Sequence, residues 1–126
     1  MDRPEIRFGA LTIDCARDQV HALILFYTKL LSLQLEGSEE DDFPYLAGDN
    51  FGITLQVLDD YVPPTWPSNE HGKQMHMDFI TKNLPEAVSY AKSIGAVESP
   101  EQYSKRWHVM LDPAGHPFCL CRLLED

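Results

Sequence analysis

The sequence predicts an α+β fold built from two βαβββ modules, on three observations. Residues Gln74 to Ala96, QMHMDFITKNLPEAVSYAKSIGA, read in order as strand, helix cap, helix and stop. The order strand, helix and three further strands occurs twice, in about 60 residues each. The two copies also share an echo, Tyr27-Thr28-Lys29 in the first helix and Tyr90-Ala91-Lys92 in the second, each followed by an apolar pair and a strand.

In the second copy, Met75, Met77 and Phe79 alternate with His76, Asp78 and Ile80. That is the period-two pattern of a strand with two different faces. Asn83 is the expected N-cap, with Glu86 three residues on completing a capping box. Pro85 falls in the first turn, where its missing N–H costs least. Leu84, Ala87, Val88, Ala91 and Ile94 form one apolar stripe, and Gly95 suits the residue after the helix. The stripe and the apolar strand face meet, which leaves His76 and Asp78 on the strand's other side. Val97 to Ser99 is a short strand and Tyr103 to Leu111 a longer one. Asp112-Pro113-Ala114-Gly115 is a tight turn, and His116 to Leu123 a last strand.

In the first copy, Arg7 to Asp14 is a strand and Asp14 or Asp18 caps the helix. Val20, Leu23, Ile24, Tyr27, Leu30 and Leu31 make its stripe. Leu25 and Phe26 lie off it, so this helix is either deeply buried or part of a subunit contact. Strands follow at Leu33–Glu36, Phe43–Ala47 and Phe51–Leu58, with Gly48-Asp49-Asn50 as a hairpin turn. Asp59 to Lys73, with Pro63, Pro64, Pro67 and Trp66, is an ordered loop. One domain, 1–126, is therefore expected, with module one at about 5–58, the loop at 59–73 and module two at about 74–124. Neither module can bury a helix stripe and a sheet alone, so the halves pack together or pair between chains.

Apolar residues make up 44% of the 126, which is globular, and no run of about 18 apolar residues offers a membrane span. The start, MDRPEIRF, is charged and lacks an apolar export segment, so the cytoplasm is the expected location. Ten Lys and Arg against 20 Asp and Glu give a net charge of −10, which argues against nucleic acid and anionic lipid as partners. The run Glu39-Glu40-Asp41-Asp42 reads as a solvated turn. Three cysteines do not suggest a disulfide framework. Cys119 and Cys121 share a strand face, and buried thiols are the simpler reading of both.

The segments LFYTKLLSL, HMDFITKNLPEAVSYAKSIGA and MLDPAGHPFCLC together resemble the vicinal oxygen chelate superfamily, the glyoxalase/bleomycin-resistance/extradiol dioxygenase group. YVPPTWP, HMDF and DPAGHPFCL resemble its glyoxalase-like subgroup more narrowly. The resemblance spans essentially the whole chain. It implies two modules forming a curled mixed sheet around a cavity, with helices outside. In metal-dependent relatives four strands supply ligands to a divalent ion, and the matching positions are Ala10, Gln56, His76 and Cys119. The family pattern is His or Gln, Glu, His, Glu. Ala10 cannot ligate, Gln56 offers a neutral oxygen, and Cys119 a soft thiolate where a hard oxygen is usual. His76 is the one matching family ligand. The expectation is no bound metal, with a divalent ion as the lesser alternative. Glyoxalase I chemistry needs a strong base beside the metal, and neither Glu position is filled.

His76 and Asp78 are the candidate catalytic pair, as an acid–base dyad or as polar anchors. The plainer alternative is a hydrogen-bonded histidine in a metal-free pocket. Gln56, Trp66, His76, Trp107 and Cys119 are the candidate ligand-binding residues, the two Trp rings suiting a planar ligand. Strand 103–111 leaves two parities open, Arg106, His108 and Met110 inward or Trp107, Val109 and Leu111. His116 reads as structural, and His21 and His71 as surface residues. The expected function is binding of a small organic molecule in a sheet-lined cavity, by a homodimer. The competing expectation is an enzyme of lyase, isomerase or dioxygenase type acting on a small oxygenated substrate, and a third is an interaction domain without a small ligand.

Overall fold

The computed structural model describes residues 2, 3, 8–72 and 75–123. The expected module starts near residues 5 and 74, the strand start at Arg7, the loop end at Lys73 and the module end at 124 lie outside the described residues. Module one contains β1 (Leu11–Cys15), a 3-10 turn (Arg17–Gln19), α1 (Val20–Leu31), β2 (Gln34–Glu36), β3 (Tyr45–Ala47) and β4 (Gly52–Val57). Module two contains β5 (Met77–Thr81), α2 (Leu84–Ser93), β6 (Val97–Glu98), β7 (Trp107–Leu111) and β8 (Pro117–Arg122). The two βαβββ modules are thus present. Among the described residues the mixed sheet is realised as two separate four-stranded sheets, ordered β1-β4-β3-β2 and β5-β8-β7-β6. In each, the first and last strands run parallel and the other pairs antiparallel.

Register fixes how the copies correspond. Asp14 lies opposite Gln56, and Asp78 opposite Cys119. Each helix starts six residues after its Asp, at Val20 and at Leu84. On this register the counterpart of His76 is Thr12, two residues beyond the expected Ala10. The Tyr echo is also one residue out of step, because buried Tyr27 corresponds to buried Ala91 while Tyr90 is exposed.

Helix starts differ from expectation in two ways. Asn83 does cap α2, its side chain accepting from the Glu86 N–H at 3.1 Å. The Asn83 N–H, however, donates to the Thr81 hydroxyl at 3.2 Å, so Thr81 fills the place expected of the Glu86 carboxylate. Neither Asp14 nor Asp18 caps α1, which has no side-chain cap; the chain enters it through the 3-10 turn, where the Ala16 N–H donates to Gln19 Oε1 at 2.8 Å. Gly95 ends α2 at φ +123°, a conformation that favours glycine.

The helix-side faces of both sheets build one core. Ile13, Cys15, Leu23, Phe26 and Tyr27 of module one join Ala91, Met110, Phe118 and Leu120 of module two. The Phe118 ring lies 5.7 Å from Phe26 and 5.6 Å from Phe79. Phe26 is therefore buried against the other module, whereas Leu25 points to solvent. The turn after β7 locks this contact. Asp112 is 2% exposed, and its carboxylate accepts from the Ala114 N–H at 2.8 Å, the His116 N–H at 3.0 Å and the Tyr27 hydroxyl at 2.6 Å. A buried carboxylate needs such donors, since an unsatisfied one would carry a large desolvation penalty. Burial, and then the Asp112 charge and hydrogen bond, push the Tyr27 hydroxyl well above its ordinary pKa.

The parity of β7 is settled by its partners. Met110 pairs with Phe118 and His108 with Leu120, on the helix side. Trp107, Val109 and Leu111 pair with Cys121, Cys119 and Pro117, and share the opposite face with Asp78.

A cleft between the modules and a His–Asp–Cys cluster

On β1, Ile13 and Cys15 point into the core, so alternation sends Thr12 and Asp14 to the opposite face. That face borders a cleft of about 570 Å³. Across it lie His76 with Met75 and Met77, while the loop after β4 closes one side with Asp60, Tyr61 and His71. Leu11, Ile13, Leu58, Val62 and Pro117 make much of the remaining wall apolar. His116 forms one end: its Nε2 donates to the Asp14 carbonyl at 2.7 Å, and Tyr61 donates to the Ala114 carbonyl at 2.8 Å. These bonds tie β1 and the loop to the Asp112 turn. Burial, with the Asp112 charge second, raises the Tyr61 pKa, so this phenol is a hydrogen-bond donor at neutral pH.

Beside the cleft, His76 Nε2 lies 3.2 Å from Asp78 Oδ1, with the two side chains 38% and 60% exposed. Cys119 completes a cluster in which one ligating atom from each of the three residues lies within 4.8 Å of the others. The fold dictates this. Asp78 and Cys119 are direct partners across β5 and β8, and His76 is two residues before Asp78 on the same face. Cys119 is only 7% exposed, beneath the two polar groups. Its neighbour Cys121 is pushed above the ordinary thiol pKa by burial, then by the Asp78 charge, and Cys15 is pushed up to about 11 chiefly by burial. Neither is an activated thiolate at neutral pH.

The other expected ligand contacts are dispersed. Gln56 is half-buried on β4 opposite Asp14, Trp66 packs edge-on to Tyr103 with ring centres 6.2 Å apart, and Trp107 stands exposed on β7 opposite Cys121. None of these three lines the cleft, nor does Cys119. His76 alone among the expected residues does. Thr12, Asp60 and Tyr61 line it without having been singled out, as do Asp14, expected as a helix cap, and His71, expected as a surface residue. Period-two alternation from Ile13 signals Thr12 and Asp14, whereas the loop residues carry no local signal.

The four-ligand metal set implied by the resemblance does not fit these residues. Module one presents Thr12 and Gln56 at the matching places, a hydroxyl and a neutral amide, and a hard divalent ion prefers carboxylates. Of the four matching places, the strong donors, His76 and Cys119, are both in module two.

Residues 10–121 match the model of a family described as a glyoxalase-like domain. A search of curated protein sequences returned no match. Solved structures with the same fold include a glyoxalase/bleomycin resistance protein/dioxygenase family enzyme from Burkholderia phytofirmans PsJN, at 18% identity and TM-score 0.66, covering 94% of this chain and 100% of that one. A gene product from Arabidopsis thaliana matches at 14% identity and TM-score 0.68, covering 93% and 99%. A lactoylglutathione lyase from Agrobacterium tumefaciens matches at 14% identity and TM-score 0.60, covering 95% and 96%.

Proposed function

The chain belongs to the glyoxalase-like domain family, within the vicinal oxygen chelate superfamily, and from that premise we propose that it binds a small organic molecule in the cleft between its modules, without the family's four-ligand metal. The observation that carries the reading is the cleft itself. Its volume of about 570 Å³ is in the range of small-molecule sites, and it sets a few convergent polar groups, His76, Asp14 and Tyr61, among apolar walls. Acidic Asp14 and Asp60 favour a neutral or cationic ligand over a polyanion. Of the side chains expected to touch ligand, His76 carries the proposal.

The test is a thermal-shift screen of small oxygenated and aromatic compounds, with hits titrated by calorimetry. The expected result is a saturable ligand whose affinity falls about tenfold or more in His76→Ala, the loss of one charge-assisted or well-placed hydrogen bond. Hits that bind His76→Ala and Thr12→Ala as tightly as the unaltered chain would refute the cleft as their site.

A second reading, an enzyme of lyase, isomerase or dioxygenase type on a small oxygenated substrate, is favoured by the His76–Asp78 contact of 3.2 Å. The carboxylate holds the imidazole in one orientation for proton transfer to a molecule in the cleft. Turnover of oxoacids, thiohemiacetals or catechols that is lost in Asp78→Asn would support it; turnover that survives in His76→Ala would exclude this pair.

The same proposal includes a homodimer in the cytoplasm. Exposed Leu25, Ile80 and Trp107 leave apolar surface on α1 and on the outer face of the second sheet. A monomeric mass by light scattering at micromolar concentration would refute the dimer. No helix among the described residues is long and apolar enough to cross a membrane.

A further inference from the structure

The structure assigns this chain a second small-molecule site, a pocket under the first half of α2 for an organic carboxylate with a short apolar body. It lies on the helix side of the second sheet, the face opposite His76. It shares no lining residue with the cleft and does not rest on the cleft reading.

The pocket follows from a mismatch between helix and sheet. On the helix side β8 reads Phe118, Leu120, Arg122, and β7 beside it reads Met110, His108, so the surface passes from apolar to cationic towards one end. The second half of α2 covers the apolar end, where Ala91 is fully buried. The first half extends over the cationic end, and there Leu84 and Val88 stay half-buried. The space left between is about 480 Å³, lined by Leu84, Pro85, Val88, Lys105, His108 and Arg122.

Charge selects the occupant. Among the described residues, no hydrogen bond or ion pair engages the side chain of Lys105 or of Arg122. Two unpaired cations beside an apolar wall stand out in a chain with 20 Asp and Glu against ten Lys and Arg. The third polar group is His108. Its Nε2 is shut off from solvent and 3.5 Å from Glu98 Oε2, beyond a well-made hydrogen bond. Glu98 is already held by Lys92 at 2.8 Å, so those two charges offset each other and the pocket keeps a positive balance. A carboxylate matches the planar fork of the Arg122 guanidinium and the point charge of Lys105, while its apolar body covers Leu84 and Val88. The net charge of −10 opposes heads of higher negative charge. Module one has no such place: three residues beyond Gln56, as Arg122 stands beyond Cys119, its residue is Asp59.

The experiment titrates hexanoate into the full chain and follows backbone amide shifts by NMR, with acetate as the head alone and hexanol as the body alone. The expected result is a saturable set of shifts centred on Val88, His108 and Arg122, with a dissociation constant on the order of 1 mM or below. Acetate and hexanol should each bind about fivefold or more weakly than hexanoate. Lys105→Gln and Arg122→Gln alter exposed side chains. Each should weaken hexanoate about threefold, and the two together about tenfold. Lys29→Gln removes the same unit of charge from α1 and should leave binding unchanged. Absence of saturable shifts would overturn the inference, as would hexanol or acetate that binds as tightly as hexanoate. So would shifts centred on Thr12 and His76, which would return hexanoate to the cleft. A loss in Lys29→Gln equal to that in Arg122→Gln would reduce the effect to net charge and overturn the site.

Discussion

The two modules share a layout and differ in chemistry. Both place an Asp at the same point of the first strand, Asp14 and Asp78, opposite Gln56 and Cys119 respectively. Two residues earlier, module one has Thr12 and module two His76. Two substitutions between copies thus separate a face with one strong donor from a face with three. The Asp14 region is instead fixed structurally, its carbonyl held by His116. A duplicated backbone therefore specifies where side chains point, and says little about whether either copy can ligate or catalyse.

Stability mutations test how far the modules depend on each other, and the largest effect belongs to the joint between them. Asp112→Ala leaves the Tyr27 hydroxyl and two turn N–H groups without their acceptor, and should cost about 3–5 kcal/mol in urea unfolding. A loss below about 1 kcal/mol would mean the modules cohere by apolar packing alone. Tyr27→Phe removes only one of the three donors and should cost about 1–3 kcal/mol. Helix starts give a smaller contrast. Asn83→Ala should cost about 1 kcal/mol, because the side chain caps α2. Asp18→Ala should stay within about 0.5 kcal/mol, because that side chain caps nothing.

The smallest effect is electrostatic and confined to module two. Lys92 Nζ lies 2.8 Å from Glu98 Oε1, and this hydrogen bond is the main cause holding the exposed Glu98 carboxyl below its ordinary pKa. A lowered folded-state pKa contributes stability above the unfolded value and loses it as pH falls through the folded value. Glu98→Gln should therefore lower the melting temperature slightly at pH 7. The difference should close as pH drops below the ordinary carboxylate range. A difference that persists in acid would assign it to packing instead.

Much of this architecture is legible in the residues because its signals are local. Asn83, Gly95 and the Asp112–Gly115 turn each encode a backbone conformation within a few positions. The parity of β7 is not legible, because both Val109 and Met110 are buried, one on each face of the sheet, so alternation gives no contrast. Asp14 reads locally as a helix cap, and only the pairing of β1 with β4 sends it to the cleft. His71, Asp60 and Tyr61 reach the cleft through the course of the long loop after β4, which local sequence pattern does not encode. The cluster was half legible: His76 and Asp78 share a face by alternation, but bringing Cys119 beside them depends on the parallel register of β5 and β8.

The central claim is that a small organic molecule is held in the cleft between the modules with His76 as a polar contact. Calorimetric titration of a screened hit into the unaltered chain, His76→Ala and Gln56→Ala tests it most directly. The account predicts one site in the unaltered chain, kept in Gln56→Ala and weakened about tenfold or more in His76→Ala. Equal affinity in His76→Ala and the unaltered chain would contradict the claim.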